Sequence, residues 1–213
     1  ASLTRAGLDV PGQVVIKCFQ LDEGSNLSQI VRESRALESA KRLGMVLEHG
    51  LDERRYFYVM PYVPGENLSR VTQKMHAGSG ADGLGNKQIQ QALGYVADLL
   101  VTLDRFHAAG LWHKDVKPDN IIVREGRAHL VDLGLVTPLG SAMTLTTHGT
   151  EYFRDPELVR QALRGAKVHE VDGARFDLYA AGAVLYSIVE DSFPAHGSLS
   201  SISKRCPDSL QWI

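Results

Sequence analysis

Apolar residues at Ile89, Leu93, Val96, Leu100, Leu103 and Phe106 recur at steps of three and four, the period of a helix with one buried face. The spacing predicts a long amphipathic helix ending near Gly110, where a glycine can close the last turn. Val14-Val15-Ile16-Lys17-Cys18-Phe19 is instead a β-branched run behind a Pro11-Gly12 turn and reads as a buried strand. Tyr56 to Val63, closed by Pro64-Gly65, reads as another strand. Ile121-Ile122-Val123 and Leu130-Val131 flank a Glu125-Gly126 turn as a short hairpin. Between the first two strands, Asn26 and Gln29 resemble a capping box, and helix formers continue to Leu43, which predicts a helix over 27–43. Phe176 to Val189 reads as a second buried helix.

Polar residues that break these patterns are the first candidates for chemistry. Lys17 interrupts its strand, and a cation there is costly unless it is paired or faces a ligand. The bland alternative is an edge lysine. Glu33 falls between Ile30 and Leu37 on the apolar side of its helix, with a solvated glutamate at the stripe's edge as the alternative. The long helix leads directly into His113-Lys114-Asp115-Val116-Lys117-Pro118-Asp119-Asn120, which places a carboxylate base, a lysine two positions on and an amide ligand five positions on. Asp132-Leu133-Gly134 closes the hairpin, although a lone D-x-G is a common turn. Gly78 to Gly83 spells G-x-G-x-x-G, the pattern of nucleotide-binding loops, but no strand precedes it and it reads as part of a glycine-rich insertion.

Composition narrows the partners. The chain has 213 residues, 44% hydrophobic and 23% charged, with a net charge of −2, enough for a sizeable core and without a basic nucleic-acid surface. Two cysteines, Cys18 and Cys206, with no C-x-x-C pair argue against a structural zinc site and fit a reducing cytoplasm. The longest apolar run, Leu178 to Val189, falls short of the roughly 20 residues needed to cross a bilayer, so no membrane insertion is expected within the chain. Residues 1–13 lack the pattern of a signal peptide.

In order along the chain stand a strand lysine, a helix glutamate, an H-x-D-x-K-x-x-N loop and D-x-G, and together they resemble the eukaryotic-type serine/threonine protein kinase family. Gly149-Thr150-Glu151-Tyr152-Phe153-Arg154-Asp155-Pro156-Glu157 resembles the end of that family's activation segment, with Phe153 in place of Tyr and Asp155 in place of Ala. The resemblance implies an α+β, bilobal fold. It comprises a small β-rich N-lobe with one helix over 1–60, a hinge over 61–65 and a larger helical C-lobe over 66–213.

It further implies ATP and Mg²⁺ as cofactors and a protein serine or threonine hydroxyl as acceptor, with a pseudokinase or nucleotide-binding scaffold as the alternative. Lys17 would hold the α- and β-phosphates and pair with Glu33, Asp115 would orient the hydroxyl with Lys117, and Asn120 and Asp132 would hold the metal. Met60 would be the gatekeeper, with the Pro61 carbonyl and the Val63 N–H facing adenine. His113, Gly134, Thr150 and Glu157 would be structural, and Asp177 would support the catalytic loop from below.

The pattern also departs from the family. Lys114 replaces the usual arginine, so it would attract a phosphate on Thr144, Thr146 or Thr147 only as a point charge. No G-x-G-x-x-G-x-V precedes Lys17, which places that loop upstream of Ala1 and makes a partial kinase domain the expectation.

Overall fold

The computed structural model describes residues 12–20, 27–52, 55–80, 83–133, 136–146 and 151–194. Asn26, Gly134, Thr147, Gly149, Thr150 and Cys206, which the sequence reading singled out, lie outside the described residues. Among the described residues no helix is long and apolar enough to cross a membrane.

The chain opens with β1 (Val14–Gln20), α1 (Leu27–Arg42), β2 (Glu48–Asp52) and β3 (Arg55–Pro61), and the strands form an antiparallel sheet in the order β1-β3-β2. In register, Val15 stands opposite Met60 and Lys17 opposite Tyr58. Directly opposed residues share a face, so these four side chains look one way while Ile16, 39% exposed, looks the other. The inner face packs against Ala36, Leu37 and Ala40 of α1 and against Leu133 and Val136. β3 ends at Pro61 rather than at the expected Val63, since proline offers no N–H to continue a ladder. The next N–H, on Tyr62, still reaches the Gln13 carbonyl at 3.0 Å.

After β4 (Glu66–Asn67) and α2 (Leu68–Ala77) comes α3 (Asn86–Ala108), the predicted long helix. Its buried stripe is Ile89, Ala92, Val96, Leu99, Leu103 and Phe106, whereas Leu93 and Leu100 are about 40% exposed. Four of the six predicted positions are buried as expected, and Ala92 and Leu99 take the places of Leu93 and Leu100 where α3 packs on the alanine-rich α5 (Gly173–Glu190), whose Ala180, Ala181, Ala183 and Val184 lie in the same core cluster. α5 itself is buried along most of its length, as a helix apolar nearly all round must be.

β5 (Leu111–Trp112) pairs with β8 (Thr137–Pro138), and β4 joins β6 (Ile121–Arg124) and β7 (Arg127–Leu130) in a second small sheet. Glu125 and Gly126 turn the hairpin with φ of 50° and 76°, the type I′ geometry that suits the twist of two strands. Gly78 ends α2 and Gly80 bridges Gly83, so the described glycines of the G-x-G-x-x-G stretch lie between α2 and α3 with no strand before them. α4 (Pro156–Leu163) precedes α5, and Asp155 explains where it starts: its Oδ1 accepts from the Glu157 N–H at 2.7 Å, with Pro156 at the first helical position.

Candidate active site

The loop from His113 to Asn120 leaves the buried strand β5 and is fixed from α5. Asp177, 1% exposed, accepts from the His113 N–H through Oδ2 and from the Lys114 N–H through Oδ1, both at 3.0 Å. His107, in the last turn of α3, lies with Nε2 2.9 Å from the same Oδ2. Lys114 adopts φ 69°, a left-handed conformation that costs a non-glycine residue about 1–2 kcal/mol, and the paired bonds to Asp177 hold it there. Its Nζ lies 3.2 Å from Thr146 Oγ1 and 5.2 Å from the centre of the Trp112 ring.

His113 is completely buried and meets Phe106 edge to face, with ring centres 5.5 Å apart. Burial pushes its pKa down, against the opposing pull of Asp177, Asp115 and Asp132 and of the Val131 backbone. The neutral ring can accept at Nδ1 from the Asp115 N–H, 3.4 Å away. A structural role for His113 is the one this environment supports.

The next residues converge on the Asp115 carboxylate. Lys117 Nζ lies 3.1 Å from Asp115 Oδ2. Asn120 Nδ2 donates to that oxygen and to the Asp115 carbonyl, each at 2.9 Å, which commits both amide hydrogens and leaves Oδ1 of Asn120 as its acceptor. A turn of 3₁₀ helix over Pro118–Asn120 gives the asparagine its reach back to Asp115. The Asn120 carbonyl then receives the Val131 N–H at 2.8 Å, joining the loop to the segment that carries Asp132.

Asp132 is the second described residue of the site at positive φ, 66°. Its Oδ2 forms an ion pair with Lys17, and its Oδ1 lies 3.4 Å from the Tyr58 hydroxyl. Lys17 thus stands on an outer strand of the described sheet, yet it faces inward from β1, half-buried and paired with Asp132. Glu33 lies on α1, its side chain outside the described residues. Met60 is 7% exposed behind this cluster, whereas Pro61 is exposed and Val63 half-buried. Glu157 stays on α4, accepting from Arg160 Nε at 2.8 Å and Gln161 Nε2 at 3.1 Å. Those two contacts hold its carboxyl below the usual range, with the Gln161 bond the larger cause. A small cavity lies beside Asp115, lined by Lys114, Phe153, Arg154 and Asp155 and, on its inner side, by Phe176 and Asp177.

Sequence reasoning missed Tyr58 and His107. Tyr58 alternates with Tyr56 and Met60 on β3, and a tyrosine on a buried face must find a partner for its hydroxyl, a signal that was present. No comparable spacing rule points to His107.

An α+β scaffold that sets a lysine and an aspartate beside a second aspartate with its own lysine and asparagine defines the protein kinases. The chain belongs to the protein kinase domain family, whose model matches residues 9–209. It is 28% identical over 177 residues to CBL-interacting serine/threonine-protein kinase 20 of Arabidopsis thaliana, covering 80% of this chain and 36% of that protein. It is 25% identical over 215 residues to the serine/threonine-protein kinase PrkC of Bacillus subtilis, covering 94% of this chain and 31% of that one. The chain thus spans about a third of the length of these curated relatives. Among solved structures, the kinase PK-1 of Cydia pomonella granulovirus superposes with a TM-score of 0.64 at 18% identity, over 87% of this chain and 62% of that one. The fold expected from the sequence is the fold found.

Proposed function

We propose that this chain is the catalytic part of a serine/threonine protein kinase that transfers the γ-phosphoryl group of ATP, with Mg²⁺, to a protein hydroxyl. The observation that carries the reading is the hydrogen bond from Val131 to Asn120, which sets the Asp115–Lys117–Asn120 cluster beside the Lys17–Asp132 pair. The relatives named above carry serine/threonine kinase names, and Lys117 at its place two residues after Asp115 agrees with that acceptor class.

The donor set fits the cofactor. Asp132 offers a carboxylate and Asn120 an amide oxygen, hard oxygen ligands of the kind Mg²⁺ takes one or two at a time alongside phosphates. Bound there with ATP, Mg²⁺ would neutralise charge on the phosphate oxygens. Lys17, now on Asp132, is placed to turn toward a phosphate, and its ammonium is half-buried, where charge is less screened than in bulk water. Asp115 accepts the proton of the incoming hydroxyl and aligns its oxygen. Lys117 and Asn120 keep the carboxylate in one orientation, and Lys117 meets the charge that develops on the transferred group. In this reading residues 1–60 form the nucleotide-covering lobe, 61–65 the hinge that faces adenine, and 66–213 the lobe that presents the base.

The test is transfer of radiolabelled γ-phosphate to a mixed protein substrate, followed by acid hydrolysis to phosphoamino acids. Wild-type protein is expected to yield phosphoserine or phosphothreonine, and Asp132→Asn or Asp115→Asn to lose about 10²–10³ in rate, the size of effect expected for one preorganised polar group. Transfer that survives both substitutions, or none in the wild type, overturns the proposal.

A further inference from the structure

Tyr58 has no role in the reaction as described, yet its hydroxyl reaches the heart of the site. It is 1% exposed, stands directly opposite Lys17 in the β1–β3 register, and therefore points the same way. The two side chains divide the Asp132 carboxylate between them, Lys17 on Oδ2 and Tyr58 on Oδ1. The Tyr58 hydroxyl thus meets the side chain of a residue that holds a left-handed turn at φ 66°. Leu133 beyond it is 5% exposed and packs in the same core cluster as Tyr58 and Met60.

We infer that Tyr58 is a positioning residue for the metal-binding aspartate: it latches the Asp132 carboxylate so that this group is presented toward a metal–nucleotide complex before that complex arrives. Two features favour this over simple packing. A phenylalanine would fill the same space in an apolar cluster at no polar cost, so the hydroxyl is there for its partners. A strand-borne tyrosine has only two rotatable side-chain torsions, and its ring packs in one core cluster with Met60, Val131, Leu133 and Val136, which makes it a rigid support. Lys17 cannot serve the same end alone. It must leave Asp132 when phosphates bind, whereas Tyr58 can stay. The latch therefore matters most when Lys17 has turned to the nucleotide.

The inference rests on the kinase reading, and the experiment separates the two. ATP affinity is measured by isothermal titration calorimetry with and without Mg²⁺, on the protein at its full natural length, for wild type, Asp132→Asn, Tyr58→Phe and Tyr58→Met. Met is included because it fills irregular gaps and removes the hydroxyl by a different shape. Both Tyr58 variants are expected to bind metal-free ATP as the wild type does and to lose about tenfold in affinity for the magnesium complex, the lower end of what a supporting partner of a metal ligand contributes. Unchanged metal-free binding shows that the pocket is folded. If Asp132→Asn abolishes the magnesium-dependent gain and both Tyr58 variants keep it at the wild-type level, the latch is refuted and the kinase reading stands. If the wild type shows no magnesium-dependent gain, both fall. Equal losses with and without Mg²⁺ in the two Tyr58 variants make the residue structural only and also refute the latch.

Discussion

Asp177→Asn keeps the size and shape of the side chain and removes its charge, which makes it the sharpest probe of how α5 holds the catalytic loop. The carboxylate serves three donors: the His113 and Lys114 amides, each at 3.0 Å, and His107 at 2.9 Å. An amide has one acceptor. With its oxygen in the Oδ2 position it keeps His113 and His107, and its NH₂ then faces the Lys114 N–H, donor against donor. Leaving a buried donor unsatisfied costs about 1–3 kcal/mol, and weakening two charge-assisted bonds adds to it, so a total near 3 kcal/mol is expected. The amide that loses its partner belongs to the residue held at φ 69°. Once released, Lys114 relaxes toward an ordinary conformation and takes Asp115 with it. A displacement of about 1 Å at a reacting group costs on the order of 10² in rate. The control is Asp98→Asn, because Asp98 likewise ties a backbone amide, that of Ala128, at 3.0 Å on the far side of α3. Urea unfolding gives the stability loss for both variants, and γ-phosphate transfer at a temperature where both are folded gives kcat. Asp177→Asn should lose about a hundredfold more kcat than Asp98→Asn. Equal kcat in the two variants would falsify the view that Asp177 acts on catalysis through the Lys114 backbone.

His113 is buried with its pKa pushed down, so in the acid range the unfolded chain takes up a proton that the folded chain refuses. Stability from this group is complete above the unfolded value near 6.5 and falls as pH drops below it, by at most about 1.4 kcal/mol per pH unit. Unfolding free energies at pH 7.5 and 5.5 should show this limb in the wild type and its absence in His113→Phe, and a parallel fall in both would exclude His113 as the source. Gly65→Ala sets a methyl 2.2 Å from the Val123 carbonyl oxygen, a clash with backbone that no side-chain rotation relieves. Calorimetry should find it destabilised by about 2 kcal/mol or more, the range of overpacked sites, whereas Gly140→Ala, with open space around its Cβ, should stay within about 0.5 kcal/mol. Segment 141–146 is held by backbone bonds, Leu145 to Ala166 at 2.8 Å, Val168 to Met143 at 2.9 Å and His169 to Ser141 at 3.0 Å, with Lys167 and Lys114 adding contacts to Thr144 and Thr146. Thr144→Ala with Thr146→Ala removes only those two hydroxyls, about 1 kcal/mol each at most, so transfer activity should stay within a few fold, and a hundredfold drop would mean that these threonines do more than the geometry shows.

The sequence made the strongest periodicities legible and hid what depends on partners far along the chain. The long helix and the buried central helix emerged because their apolar period is unambiguous, and only Leu93 and Leu100 of the predicted α3 stripe give way to Ala92 and Leu99, which join the alanines of α5 in one core cluster. β2 was not foreseen: Glu48-His49-Gly50-Leu51-Asp52 has little β-propensity and exists because β3 pairs with it. Gly50 serves that pairing, since a Cβ there would lie 2.9 Å from the Phe57 ring. In the site, Lys17 stood out as a cation in an apolar strand, but its contact with Asp132 crosses 115 positions of sequence and follows no local rule. The substitution of Asp155 for the family's alanine looked like a departure and proves to be a helix cap, a signal that Asp followed by Pro already carried.

Two residues of the site, Lys114 and Asp132, hold left-handed conformations without being glycines, and each is fixed by a buried side chain from an element remote in sequence. Glycine would take either conformation without strain of about 1–2 kcal/mol, so the strain persists only because the side chains are needed where the backbone puts them. At Asp132 that is the carboxylate that Lys17 and Tyr58 meet. At Lys114 the left-handed turn stands between buried His113 and half-buried Asp115, so that a single step of backbone carries the loop out of the core. Asp177 from α5 holds the first turn and, with Lys17, Tyr58 from β3 holds the second, while the Val131-to-Asn120 bond ties the two together. The site is therefore as rigid as the packing of α5 and of the β1–β3 pair, and the loops that carry its chemistry contribute little of that rigidity themselves.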